Sequence, residues 1–270
     1  MRSCNTSAKN PRRKFVKTLK RWARKLRAFS ARTGFACEGC GAEIFEYPIK
    51  RFCTQCEERL CKNDKRFCGV CGRKTWGEGV CLSCKAVVPR FDKGCAPFVY
   101  QGEVASLINR MKNGGLRLAY FFAEEMVNCA LKNGFGEGRY ALNEGKALII
   151  PIPLTKEREQ TRGYNQAEEL AFAVQACLQK HGVSIALAED VLIKTRETAP
   201  QKDLSFGKRQ ENAQGAYRVQ NRVICRDKII LLVDDIMTTG ATGSECARVL
   251  KNAGASAVYF LTCASLAETR

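Results

Sequence analysis

The chain has a single histidine, His181, which follows a helical segment far from any cysteine pair. Any zinc held here must therefore be bound by cysteine alone. No apolar run approaches the length that spans a bilayer, which argues against a membrane-spanning protein. The basic N-terminus runs into amphipathic spacing instead of an apolar h-region, so a secretory signal is not expected. No G-x-x-x-x-G-K-[ST] occurs, which excludes a Walker phosphate loop. Residues 1–36 contain no acid, against twelve Lys and Arg. Of the formal charge of +18 this leaves +6 for the remainder, so a separate basic arm carries most of the excess.

Cysteine is plentiful, at 16 in 270 residues. Eight fall in C-x-x-C pairs: Cys37/Cys40, Cys53/Cys56, Cys68/Cys71 and Cys81/Cys84. Each pair presents two thiolates from one tight turn, and two turns complete a tetrahedral Cys4 zinc site. Closed sites of this kind leave no position for water, so one or two structural zinc ions are expected. Cys61 and Cys95 are left over as alternative ligands, while Cys4, Cys129, Cys177, Cys225, Cys246 and Cys263 read as small buried side chains. Pairing of this kind suits metal better than crosslinks and predicts a reducing, cytoplasmic compartment.

Three regions follow. Residues 1–36 are an arm in which Phe15, Leu19, Trp22, Leu26 and Phe29 form one stripe of a basic helix. Residues 37–95 are a double zinc-ribbon module in which metal replaces a core. Residues 96–270 alternate helical and strand patterns, which predicts an α/β domain with a mainly parallel sheet and helices on both faces. Helices are expected over Val104–Met111, Leu116–Leu131, Asn165–Gln179 and Gly243–Asn252. Strands are expected over Ala147–Ile152, Val191–Thr195, Ala216–Val219 and Ala257–Cys263. Lys132–Gly145 and the charged stretch Lys156–Arg162 read as loops.

The most specific segment begins with Ile229–Val233, an apolar run without alternation and hence a fully buried strand. It ends in Asp234 and Asp235, followed by Thr238, Thr239, Gly240, Ala241 and Thr242 at the start of a helical pattern. Backbone N–H groups and hydroxyls of that turn suit a phosphate, and the helix dipole favours its charge. The carboxylates would repel phosphate, so they must face sugar hydroxyls or a magnesium ion. Phosphate beside a diol is a 5-phosphorylated ribose. Pro151, Ile152 and Pro153 make a constrained turn at the end of another strand, suited to pyrophosphate. Arg158, Arg162 and Gly163 lie where a mobile loop could close on it.

These motifs resemble known ones. Ile230–Thr242 looks like the phosphoribosyl-pyrophosphate (PRPP) motif of type I phosphoribosyltransferases. The order C-x-x-C pairs, Lys112-Asn-Gly-Gly115, PIPL, RGYNQAEELA, Gln201/Arg209/Asn212 and DDIMTTGAT resembles the ComF family over residues 35–265. The resemblance implies a double zinc ribbon fused to a type I phosphoribosyltransferase fold. It implies that Asp234 and Asp235 hold the ribose hydroxyls and magnesium, and that Thr238–Thr242 cradle the 5-phosphate. It also implies that Pro151–Leu154 form the pyrophosphate loop and that Arg162-Gly163 belong to the flexible loop. Two functions follow as expectations. One is a PRPP- and magnesium-binding protein of natural transformation that contacts single-stranded DNA; the other is a phosphoribosyltransferase of nucleotide metabolism without a DNA role. The basic arm suits a single strand, an anionic membrane surface or a plain solvated tail equally.

Overall fold

The computed structural model describes residues 36–45, 50–135, 142, 145–198 and 206–268. Two compact units divide the chain, residues 1–32 and 33–270, and the described residues all lie in the second. The amphipathic stripe of the arm, Cys4, Gln201, the Arg209 side chain and most of Lys132–Gly145 lie outside them.

In chain order the elements are α1 (Thr54–Glu58), α2 (Leu82–Ala86), β1 (Lys93–Cys95), β2 (Phe98–Val99), α3 (Gly102–Lys112) and α4 (Leu118–Lys132). Then come β3 (Ala147–Pro151), α5 (Lys156–Arg162), α6 (Gln166–Lys180), β4 (Ala186–Leu187), β5 (Leu192–Lys194) and α7 (Phe206–Ala213). Finally there are β6 (Tyr217–Val219), α8 (Arg222–Cys225), β7 (Ile229–Met237), α9 (Ala241–Asn252) and β8 (Ala257–Ser265). Six strands form one parallel sheet in the order β1-β8-β7-β3-β4, with β2 also on β8. β5 and β6 form a separate antiparallel ribbon. Among the described residues no helix is long and apolar enough to cross a membrane.

The expected α/β class, with helices on both faces, is the one observed. Every residue of β3 and β8 is buried, as unalternating apolar strands require. Successive side chains point to opposite faces. Ile149, Leu231, Val233, Tyr259 and Leu261 therefore join one core with α3, α4 and α6. Leu148, Ile150, Ile230, Leu232, Val258 and Phe260 join the other with α9. The cysteine pairs split between these cores. Cys37 and Cys56 pack into the first, whereas Cys68, Cys71, Cys81 and Cys84 all pack into the second.

Three expectations need correction. β7 continues past the acidic pair to Met237, because β8 goes on pairing with it at Asp234↔Thr262, Ile236↔Ala264 and Met237↔Ser265. The stretch Lys156–Arg162 is a helix, not a loop. Thr155 caps it by accepting from the Arg158 N–H, Glu157 and Glu159 lie in its first turn, Arg162 lies in its last, and Gly163 closes it. Those charges complement the helix dipole, so no apolar face is needed. Cys95 and Cys129 face each other sulfur to sulfur between β1 and α4, and Cys95 lies in neither cysteine cluster, so it is not a spare metal ligand.

Candidate functional site

β3 and β7 are neighbours in register, with Pro151 opposite Val233. The Ile152 N–H donates to the Val233 carbonyl at 2.9 Å. The turn Pro151–Leu154 therefore leaves the sheet beside Asp234 and Asp235. One loop, residues 163–165, holds this corner. Asn165 is buried, caps α6 by accepting from the Ala167 N–H at 3.0 Å, and donates to the Ile152 carbonyl at 3.1 Å. The Tyr164 hydroxyl donates to the Met111 carbonyl at 2.5 Å and accepts from the Gly114 N–H at 2.9 Å. Tyr164 thus fixes the end of α3, from which Lys112 reaches across to Asp235 with Nζ 2.9 Å from Oδ2.

The electrostatics of the pair follow from this packing. Burial, then the charge of Asp235, push the Asp234 carboxyl up to about 8, against the Asp235 N–H and the cations Lys112 and Lys194. Burial works against the Lys112 ammonium, but Asp235, by charge and hydrogen bond, and then Asp234 outweigh it, so its pKa is raised. Burial and the neighbouring acid thus favour the protonated form of Asp234, while Lys112 pairs with Asp235.

The turn follows directly. Gly240 sits at the N-cap of α9 with φ 83, a left-handed conformation that glycine adopts without strain. The Thr239 hydroxyl accepts from the Ala241 N–H at 3.3 Å, and Ser244 N–H donates to the Gly240 carbonyl at 2.8 Å. Thr238, Thr239 and Thr242 are half-buried, while Gly240 and Ala241 are buried. The turn, the acid pair and Pro151–Pro153 accordingly share the carboxyl end of the sheet, where open α/β sheets take their ligands.

The two cysteine clusters are Cys37/Cys40/Cys53/Cys56 and Cys68/Cys71/Cys81/Cys84, each with all sulfurs within 4.8 Å of one another. Backbone N–H groups of Gly39 and Cys53 point at Cys37 Sγ at 3.3 and 3.2 Å; those of Cys71 and Cys81 point at Cys68 Sγ at 3.5 and 3.3 Å. Four thiols with amide donors aimed at sulfur form a donor set that fits zinc.

No protein-family model matches the chain. Among curated proteins it is 28% identical to competence protein ComFC of Bacillus subtilis over 214 residues, 78% of this chain and 82% of that one. It is 28% identical to DNA utilization protein YhgH of Escherichia coli K12 over 76% of this chain and 86% of that one. It is 26% identical to competence protein F of Haemophilus influenzae over 81% and 85%. The chain is thus similar to the ComF and YhgH proteins over 76–81% of its length. A solved structure of the allosteric regulatory enzyme of purine biosynthesis matches this chain at 17% identity and a TM-score of 0.30. It covers 54% of this chain and 25% of that one, a likeness too slight to bear on the site.

The remaining expected residues are placed differently. Arg162 and Gly163 are exposed, and Arg162 Nη1 donates to Gln166 Oε1 at 2.6 Å instead of reaching the turn. Arg158 pairs with Glu197 at 3.2 Å, and Thr155 donates to the same carboxylate, so α5 is fastened to the segment after β5. Residues without a sequence assignment also belong here. Lys194 lies beside the Tyr217 ring, its Nζ 5.7 Å from the centroid. Burial and then Arg158 lower the Lys194 pKa, while Glu197 and Asp234 oppose the change. Burial, then Cys246 and Asp234, push the Tyr217 phenol up. Lys112 stood in a quoted motif without a role; its position at a helix end before two glycines was the available signal. Lys194 and Tyr217 had none, since short ribbon strands show no usable period.

Proposed function

We propose that this protein acts as a ComF-type protein that binds PRPP, or another 5-phosphoribosyl ligand, with magnesium at the carboxyl end of its sheet, and serves the use of incoming DNA. The observation that carries the ligand reading is the partly neutralised Asp234–Asp235 pair beside the 238–242 turn. Two carboxyl groups accept hydrogen bonds from a ribose diol, and amides and hydroxyls of the turn suit the 5-phosphate. Pro151–Pro153, held by Asn165, would meet the pyrophosphate. Magnesium bound with the ligand would neutralise pyrophosphate oxygens. If transfer takes place, the bond from the anomeric carbon to pyrophosphate breaks, and a nitrogen nucleophile forms the new bond to that carbon. The chain's part is then to position the sugar and exclude water. Isothermal titration with PRPP and magnesium tests the site: Asp234→Asn/Asp235→Asn should abolish the heat, and undiminished binding would sink the assignment.

The DNA role comes from the named competence and DNA utilization relatives. A local feature supports contact with a single strand. Phe67 and Trp76 are exposed on the second cysteine module, near exposed Lys65, Arg66 and Lys74. Aromatic faces with interspersed cations hold single strands by stacking and phosphate contact. Alanine at Phe67 and Trp76 should weaken oligonucleotide binding. Deleting residues 1–35 should lower both affinity and salt slope if the arm takes part. Unchanged values in both variants would remove the DNA contact from these surfaces.

A further inference from the structure

Arg73 follows directly on Cys71-Gly72, and it is only 5% exposed. A guanidinium removed from water needs acceptors. Nη1 and Nη2 find them at a junction, whereas the buried Nε has no hydrogen-bond partner. Nη1 lies 3.5 Å from Ser83 Oγ, between Cys81 and Cys84 of the facing knuckle, and Nη2 donates to the Thr238 carbonyl at 2.8 Å. One side chain thus joins both knuckles of the second tetrad to the first residue of the turn. The peptide unit is planar and trans, so holding the Thr238 carbonyl toward Arg73 points the Thr239 N–H the opposite way.

Other contacts make the junction rigid. The Gly94 N–H donates to the Val70 carbonyl at 2.7 Å, and a Cβ on Gly72 would lie 2.5 Å from the Gly94 carbonyl oxygen, so the knuckle sits hard against β1. Arg90 N–H donates to Ser244 Oγ at 3.0 Å in the first turn of α9. A Cβ on Gly240 would lie 3.7 Å from the Phe91 ring. The first tetrad shares none of this: Glu38 beside Cys37 pairs instead with Arg110 and Arg117, and Cys37 and Cys56 join the opposite core.

Resting on the reading of 238–242 as a phosphate cradle, we propose that the second tetrad is a metal-set buttress of that cradle, acting through Arg73. Affinity for a 5-phosphoribosyl ligand then follows metal occupancy at Cys68, Cys71, Cys81 and Cys84, and not at the first tetrad. Arg73 is a positioning residue; it does not touch the ligand.

The test uses the full chain, metal-loaded, with PRPP and magnesium as probe. Arg73→Met should bind about tenfold more weakly, as expected for the loss of one charge-assisted hydrogen bond. It should retain wild-type metal content, and Arg73→Lys should recover part of the loss. Amide hydrogen exchange over 238–242 should quicken in Arg73→Met and Cys84→Ser, but not in Cys40→Ser, with β3 unchanged. If Cys84→Ser fails to fold, Arg73→Met carries the comparison. Unchanged exchange and affinity in Arg73→Met with metals intact would overturn the proposal. So would metal loss from that variant, or equal quickening in Cys40→Ser. If wild type fails to bind PRPP the ligand reading falls, while the exchange data still decide the buttress.

Discussion

Asp234→Asn should stabilise the ligand-free protein, by an amount that grows with pH and then levels. Burial and the neighbouring Asp235 raise the Asp234 carboxyl from 3.8 to about 8. Between those values the folded protein keeps a proton that the unfolded chain has released. Folding stability from this group is thus fully present below about pH 4, falls as pH rises, and is flat above about 8. Asparagine removes that slope and still offers an oxygen to the Asp235 N–H, which donates to Asp234 Oδ1 at 2.9 Å. From pH 5 to 8 the difference spans about three units, with an upper bound of about 4 kcal/mol at 1.36 kcal/mol per unit. Asp234 retains some solvent contact, and local relaxation lowers the expected gain to about 2 kcal/mol. Urea unfolding of both metal-loaded proteins between pH 5 and 9 measures it. Curves that run parallel over this range would mean that Asp234 is already ionised in the free protein, and the account of the pair would be wrong.

The same proton bears on binding: a ligand carrying magnesium must displace it, so affinity for PRPP with magnesium should rise with pH up to about 8 and then level, as titration at several pH values would show. Tyr164→Phe deletes the hydrogen bonds to Met111 and Gly114 and should cost about 1–2 kcal/mol by thermal melting. Asn165→Ala loses both the α6 cap and the tie to Ile152, with an expected loss of about 2 kcal/mol and weaker PRPP binding in the same titration. Metal analysis should find two zinc ions per chain, and chelation should lower the melting temperature by roughly ten degrees or more.

The sheet was readable because strands buried on both faces carry unbroken apolar runs; Ile229–Val233 and Ala147–Ile150 needed no further signal. The cysteine pairs were equally open, since C-x-x-C spacing fixes which two sulfurs leave one turn, but which two turns share a cluster emerged only from the fold. Helix α5 was not, because its core-facing stripe does not exist: no residue in it is buried. Its evidence lay in the flanking Thr155 and Gly163 and in the order of its charges. Strands β1 and β2 are three and two residues long, too short for any period to register. Of the site, the acids and the turn lie within one segment and could be seen together. Lys112 meets Asp235, and Arg73 meets Thr238, 165 residues away, only through tertiary packing. The Cys95–Cys129 approach likewise has no local trace.

Among the described residues, β1 and β2 pair in the sheet only with β8, and Asp92 receives the Val258 N–H from 166 residues away. On the second knuckle, Trp76 and the Leu82 N–H rest on Glu268. Residues synthesised early are thus completed by residues synthesised late. Non-local parallel pairing is slow to form, and domains that emerge N-terminus first expose unfinished edges meanwhile. While the chain is being made, the second knuckle has thiols but not its supporting wall. Its metal is therefore expected to become firmly held only after β8 has docked, and a nascent chain stalled before β8 should give up that metal to a competing chelator far sooner than the finished protein.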